Sequence, residues 1–465
     1  MMHPARLGDV AESMKNGMYK PASEYGDDGI PCLRMYNIDA GGIVWRDIKR
    51  MRVTDAERVD YGLLEGDLLV NRVNSRELVG KTALIPSGME PSVFESKNIR
   101  LRLKADKARA KFINYQLLAS GRHHFAGNAQ QVVGMASISQ TQLADFPIVL
   151  TTLEQQDEIV AELDKQFSRL DEAVANLQRV KANLKRYKAS VLKDSVEGRL
   201  VPTEAELARR EGRSFETGEQ LLQRILGTRR KKWNGRGQYK DPDAPLAAGL
   251  GALPEGWVYA TAAQMCDPIA SGSTPAPRVM FSGEGEVPFL KVYNLTFDGT
   301  LDFTVKPTFV KRETHDGMLA RSRSYPGDVL MNIVGPPLGK ISMVSDLHPE
   351  WNINQAIVTF RTSAGLHNQL LVYWLMSTSV LSRLERTAKA TAGQSNLQIS
   401  TCRRLPLPIP PIAEQGRIVA EVDRRLSLVH GVEAEVDANL KRAKALRQSC
   451  LVSAFTPTKT KEVNP

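Results

Sequence analysis

Ile159-Val160-Ala161-Glu162-Leu163-Asp164 returns later in the chain as Ile418-Val419-Ala420-Glu421-Val422-Asp423, an offset of 418 − 159 = 259. Ser190 and Leu192 match Ser449 and Leu451 at the same offset. The first copy sits in a stretch from about 155 to 197 with two seven-residue rungs. Leu163, Leu170, Leu177, Leu184 and Val191 form one rung, and Phe167, Val174, Lys181 and Lys188 the other. Steps of four and three put both on one seam of a helix. At ~1.5 Å per residue the helix is roughly 60 Å long, too long for an ordinary globular helix. Its other faces are rich in Lys, Arg, Glu and Asp, so it reads as a solvated rod with one apolar side. The two Lys weaken the C-terminal half of the seam, where Tyr187 is expected to carry the packing. The second copy places Val422, Val429, Val436, Ala443 and Cys450 on one rung. Leu426, Glu433, Leu440, Arg447 and Ala454 form its other rung.

The text ahead of each rod also repeats. Residues 1–150 read as a mixed domain of short strands ending in a helix at 109–120. Ile30 to Ile38 alternates like a strand and turns at Asp39-Ala40-Gly41-Gly42; Leu63 to Val70 is a turn feeding a second strand; Gly80 to Ile85 is a third. Gly121 to Gln140 is polar, small and aperiodic, and reads as a loop. Val287 to Leu295 matches the first strand, Tyr325 to Asn332 matches the Gly66-Asp67 segment, and Leu338 to Val344 matches Val79 to Ile85. The organisation is therefore a head at 1–150, a rod at 151–200, a linker at 201–256, a second head at 257–408 and a second rod at 409–457. The linker holds a short helix (Gly218 to Leu226), a basic run (Arg229-Arg230-Lys231-Lys232) and a Pro/Gly-rich tail. The expected fold is α+β: two mixed α/β heads joined by two long helices in an antiparallel coiled coil with a pseudo-twofold axis. A parallel pair is also compatible with the linker, which is long enough to retrace the rod at ~3.3 Å per residue.

A chain of 465 residues is too long for one core. Its net charge of +10 suits a polyanionic partner. The four cysteines (Cys32, Cys266, Cys402, Cys450) are widely spaced without a Cys-x-x-Cys, against a disulfide framework or zinc site and for a reducing compartment. No signal peptide or long apolar run appears, and a cytoplasmic protein away from membranes is expected.

Catalytic signatures are missing. Gly80-Lys81-Thr82 looks like the end of a phosphate-binding loop, but Ser75 stands where its first Gly belongs, and Ile341 replaces the hydroxyl in the repeat. Phe281-Ser282-Gly283-Glu284-Gly285 resembles a methyltransferase loop yet precedes a strand instead of following one. No Asn/Asp-Pro-Pro-Tyr/Phe element occurs. The adjacent His123 and His124 point apart in a strand and lack the i, i+4 spacing of a helical metal pair. No catalytic residue and no metal ligand is assigned.

Binding remains, and duplex DNA suits it. One strand of each head ends in Arg34, Tyr36 and Asn37 or in Lys291, Tyr293 and Asn294. Each head has a polar stretch before its rod: Asn128, Gln130, Gln131 and Ser137 in the first, and Lys389, Gln394, Ser395 and Asn396 in the second. Arg72, Asn74, Arg76, Lys81 and His123, with Asn332 and Lys340, complete the candidate contacts. Asn and Gln can bond adenine edges, Arg and Lys guanine edges or phosphates.

The chain resembles the specificity subunit of type I restriction–modification systems over nearly its whole length. The resemblance rests on duplicated segments such as Gly66-Asp67-Leu68-Leu69-Val70 and Pro410-Pro411-Ile412-Ala413-Glu414-Gln415-Gly416-Arg417-Ile418-Val419, and on Leu253-Pro254-Glu255-Gly256-Trp257 opening the second head. The first rod departs from the Pro-Pro lead with Thr151-Thr152-Leu153-Glu154-Gln155-Gln156. The resemblance implies two target recognition domains, each reading half of a split asymmetric DNA sequence, with the rods fixing the spacer. It implies a non-catalytic subunit on which two modification subunits dock, with restriction subunits added. S-adenosylmethionine, ATP and Mg are then cofactors of the partners, not of this chain. Two rivals stand beside it: a single-chain methyltransferase or nuclease, and a coiled-coil protein scaffold without DNA sequence specificity.

Overall fold

The computed structural model describes residues 2–456 apart from 133, 236, 247–248, 336 and 392–393; the side chains of 131–132, 389–391 and 394–395 also lie outside the described residues. The chain divides into two compact units. One comprises 1–179 with 436–465, the other 180–435.

The first unit contains an antiparallel sheet in the order Ala11–Asn16, Asn98–Leu103, Leu68–Asn71, Thr82–Leu84. Leu68 to Asn71 is buried on both faces, which explains its continuous apolar run. The turn before it is held by Asp67, whose carboxylate accepts the Leu64 amide at 2.8 Å and binds Arg102 at 2.7 Å through both oxygens. Gly66 takes φ +84 to let the chain reverse. The second unit repeats this sheet as Cys266–Ser271, Ile357–Thr362, Val329–Asn332, Ile341–Met343. Asp328 repeats the staple with the Tyr325 amide and Arg361. The Gly-Asp text is thus duplicated because a buried carboxylate sets the register of the central strand in both heads.

In each head the opening strand pairs antiparallel with the strand that leads into the long helix: His3–Arg6 with Pro147–Leu150, and Val258–Thr261 with Pro406–Ile409. The two long helices, Leu153–Val196 and Ile412–Phe455, have 44 residues each. In the first unit Leu163 and Phe167, early in one helix, pack with Leu451, late in the other. In the second unit Val191 and Leu192, late in the first, pack with Ile418, Val419 and Val422, early in the second. Within each unit the pairing is antiparallel, and the parallel alternative falls. Of the seam residues, Leu163, Phe167, Val191, Val422, Val429 and Val436 are buried. Leu170, Val174, Leu177, Leu184, Leu426 and Leu440 are half-buried.

Several expectations are corrected. Tyr187 is exposed, and Lys188 itself occupies the seam, paired with Glu433 at 2.6 Å. The strand at 30–38 ends at Leu33 and a tight turn spans Met35–Asn37. The loop expected at 121–140 is a helix (Arg122–Asn128) and a hairpin (Gln130–Val132 with Met135–Ser137), followed by a helix opening at Gln140. His123 and His124 lie on that first helix, not on a strand. The linker is no loose spacer. It forms helices Glu204–Glu211 and Gly218–Lys231, and Leu221, Leu222, Ile225 and Leu226 are buried in the core of the second unit. The Thr217–Gln220 capping box starts the longer helix, and Gly218 lies so close to the Ile409 carbonyl that a Cβ would sit 2.3 Å from it. Arg229 and Arg230, from the basic run, pair with Asp267 and Asp241.

Candidate nucleic-acid interface

The polar stretches expected to meet DNA become ribbons. In the first head, Val73–Asn74 continues beyond the central strand, Met135–Ser137 pairs with it, and Gln130–Val132 pairs with Met135–Ser137. The register sets Gln130 opposite Ser137, and Ser137 opposite Val73. Asn74, Ser137, Gln130 and Gln131 therefore share one three-stranded ribbon, although 137 − 74 = 63 residues separate the outermost of them. Gln130 is exposed and Ser137 half-buried.

The second head builds the same ribbon from Val334–Gly335, Gln394–Asn396 and Lys389–Thr391. Lys389 faces Asn396, and Ser395 faces both Ala390 and Gly335. Asn396 is half-buried. The side chains of Gln131, Lys389, Gln394 and Ser395 lie outside the described residues.

The strand-end group divides in two. Arg34 donates to Glu95 at 3.0 Å and to the Tyr36 hydroxyl at 2.7 Å, with its guanidinium 4.9 Å from the Tyr36 ring centre. Burial opposes the charge on Arg34, but the bond to Glu95 raises its pKa above the ordinary arginine value. Lys291 stands 6.0 Å over Tyr293 in the second head. Each head so presents a partly exposed cation–aromatic pair. Glu95, which also accepts the Met35 amide, orients Arg34 from 61 residues away; nothing in the local sequence announces it.

The asparagines are a different matter. Asn37 is buried; its Oδ1 accepts the Arg34 amide and its Nδ2 donates to the Val44 and Arg46 carbonyls. Asn294 repeats this with Lys291, Asp302 and Val305. Asn332 is buried, donates to the Val334 and Pro337 carbonyls and accepts the Lys340 amide. With amide groups spent on backbone, Asn37, Asn294 and Asn332 cannot reach a base edge and are withdrawn as contacts.

The remaining candidates sit close to these groups. Asn74 donates to Asn71 and accepts the Ser75 amide. Arg72 reaches the Ile138 and Ser96 carbonyls, each at 3.4 Å, and Arg76 the Ala126 carbonyl at 3.0 Å. Lys81 pairs with Asp39 at 3.5 Å, and Lys340 donates to the Val292 carbonyl at 3.3 Å. His123 is exposed; Asn128 is exposed and donates to the His124 carbonyl. Among the described residues no group of three or more His, Cys, Asp or Glu is placed to hold a metal ion, and no helix is long and apolar enough to cross a membrane.

The fold defines a class: a duplicated two-head protein in which each compact unit holds an antiparallel pairing of segments from the two long helices. Its resemblance to the specificity subunits of type I restriction–modification systems is borne out. The chain is 28% identical over 169 residues to the type I restriction enzyme StySPI specificity subunit of Salmonella potsdam, 36% of each chain. It is 31% identical over 163 residues to a putative MjaX specificity subunit of Methanocaldococcus jannaschii, 33% of this chain and 36% of that one. These two matches thus span about a third of the relatives' length. The EcoBI specificity subunit of Escherichia coli is 24% identical over 460 residues, covering 96% of this chain and 84% of the relative. A chain from a structure of the type I restriction–modification system, described for its complex assembly and conformational transition, shares the fold with a TM-score of 0.64 over 98% of both chains at 17% identity. No family model matches.

Proposed function

We propose that the chain is the DNA-recognition subunit of a type I restriction–modification complex. Residues 1–150 and 257–408 act as its two target recognition domains, each reading one half of a bipartite asymmetric site. The observation that carries this reading is the ribbon in each head. A β-ribbon fits the major groove of B-DNA, where every base pair presents its own donor and acceptor pattern. Gln130, Gln131 and Ser137 on one ribbon, and Lys389, Gln394, Ser395 and Asn396 on the other, have the chemistry for that reading. Arg34 with Tyr36, and Lys291 with Tyr293, suit the phosphate backbone beside it. The paired helices set the separation of the half-sites and carry the partners.

Those partners are two modification subunits, which bring S-adenosylmethionine, and restriction subunits, which bring ATP and Mg. The chain itself contributes no catalytic group and works in the cytoplasm. Adenine methylation mapped across the host genome, with and without the gene, tests the reading. One split motif should lose methylation on deletion. An unchanged methylome in a host with active modification subunits would turn the assignment towards a protein scaffold.

A further inference from the structure

The second head holds a cleft of about 610 Å³ at the root of its ribbon. The helix Thr378–Thr387, which enters the ribbon, supplies Arg383 and Thr387 to one wall. The helix Ile399–Arg403, which leaves it, supplies Thr401, with Arg404 just beyond its end. Leu384 and Leu405, both buried, and the chain from Asp243 to Leu246 complete much of the lining. Arg404 has no hydrogen bond or ion pair from its guanidinium among the described residues. Arg383 makes one long bond, 3.3 Å to the Gly249 carbonyl.

The duplication supplies its own control. At the offset of 259, the matching positions in the first head are His124, Phe125, Asn128, Gln142, Asp145 and Phe146. There the space is filled. His124 meets the Phe125 and Phe146 rings edge-on and those two rings pack tilted on each other, with centroids 5.2–5.3 Å apart. Gln142 donates across to the Asn128 carbonyl at 2.7 Å, and Asp145 pairs with Arg6 at 2.5 Å. The second head has two leucines for two phenylalanines, threonines for Asn128 and the bridging Gln142, and arginines for His124 and Asp145. These exchanges remove ring bulk and add two cations to the walls, and the linker segment Asp243 to Leu246, which the first head lacks, supplies a further part of the lining.

We propose that this cleft binds a nucleotide, with its phosphate on the arginines and its base against the leucines. The volume falls in the range of small-molecule sites, roughly 300–1,000 Å³. Arg383 and Arg404 give the walls the charge that a phosphate needs, and the buried Leu384 and Leu405 offer an apolar surface for a ring. The free-nucleotide source stands apart from the DNA reading above; a strand phosphate as the source rests on that reading.

Calorimetric titration of the full chain with AMP and with adenosine decides it. AMP should bind saturably, and adenosine should bind about tenfold more weakly or worse. Arg404→Ala should weaken AMP to a similar degree. The pair Leu384→Phe and Leu405→Phe, which copies packing the first head already tolerates, should abolish binding while the protein stays folded. If AMP does not bind, the salt dependence of duplex binding is compared: a slope smaller by about one in Arg404→Ala assigns the same site to a strand phosphate. AMP binding unaffected by the variants, or no AMP binding together with an unchanged or unmeasurable salt slope, overturns the proposal.

Discussion

Lys188 and Glu433 meet across the two long helices, Nζ to Oε2 at 2.6 Å, at the positions where the heptad pattern of each helix fails. Two of the breaks in the apolar seam are thus one feature, a charged pair about a quarter exposed on each side. A polar pair inside a seam costs stability relative to two leucines but fixes register, because any slip leaves both charges unpaired.

Glu433→Ala should therefore cost about 1 kcal/mol, and Lys188→Ala about as much. The double variant should cost clearly less than the two together. Urea unfolding of the four proteins measures the coupling; strictly additive losses would mean the contact contributes nothing to the folded state.

Asn37 and Gln130 should separate cleanly. Asn37→Ala strips a buried amide of three backbone bonds and should lower stability by about 2–3 kcal/mol. Gln130→Ala, on an exposed ribbon position, should stay within about 0.5 kcal/mol of wild type but alter the first half-site in a methylation assay. Loss of recognition without loss of stability in Asn37→Ala would restore that residue to the interface.

Glu204 gives a pH signature. Burial works to raise its pKa, but ion pairs with Arg417 at 2.7 Å and Arg213 at 2.6 Å prevail and hold the carboxyl below the usual glutamate value. The unfolded chain then takes up this proton at a higher pH than the folded chain does. The stabilisation is complete above the unfolded pKa and is lost as pH falls through the folded one. Glu204→Gln should be less stable than wild type at pH 7, and the gap should close below about pH 4. Unfolding free energies across that range check the sign; a constant gap would show that the ion pairs do not set it.

Phe167 anchors the other end of the helix pair. It packs edge-on against Tyr115 at 5.4 Å, and the Arg447 guanidinium covers its ring at 4.4 Å. Phe167→Ala should cost about 3–5 kcal/mol. Phe167→Leu should cost much less, and thermal denaturation of the two variants gives the difference.

The long helices and the duplication were legible because a seven-residue apolar period, kept over many turns, arises from little besides a helix seam. The Gly66-Asp67 repeat was visible too, though not its reason, since Arg102 stands 35 residues away. The ribbons were not: such short strands carry no period, and in the first head the pairing with Val73–Asn74 joins residues more than 60 positions apart. The recurrence of Asn37 as Asn294 pointed the wrong way. A residue that recurs in two heads built to the same plan is as readily a turn fastener as a reader, and these two fasten turns. The helix Gly218–Lys231 could be guessed, but not that Leu221 and Ile225 would close over Gly365, which a sequence cannot show without the surface they meet.

That helix also changes what counts as a transferable piece of this protein. A crossover between two such genes at residue 257 would join a foreign head to a resident helix shaped for another surface. A crossover near residue 200 would carry helix and head together. In this half of the chain the inherited unit is longer than the head, and the stretch between the rods travels with the domain that follows it.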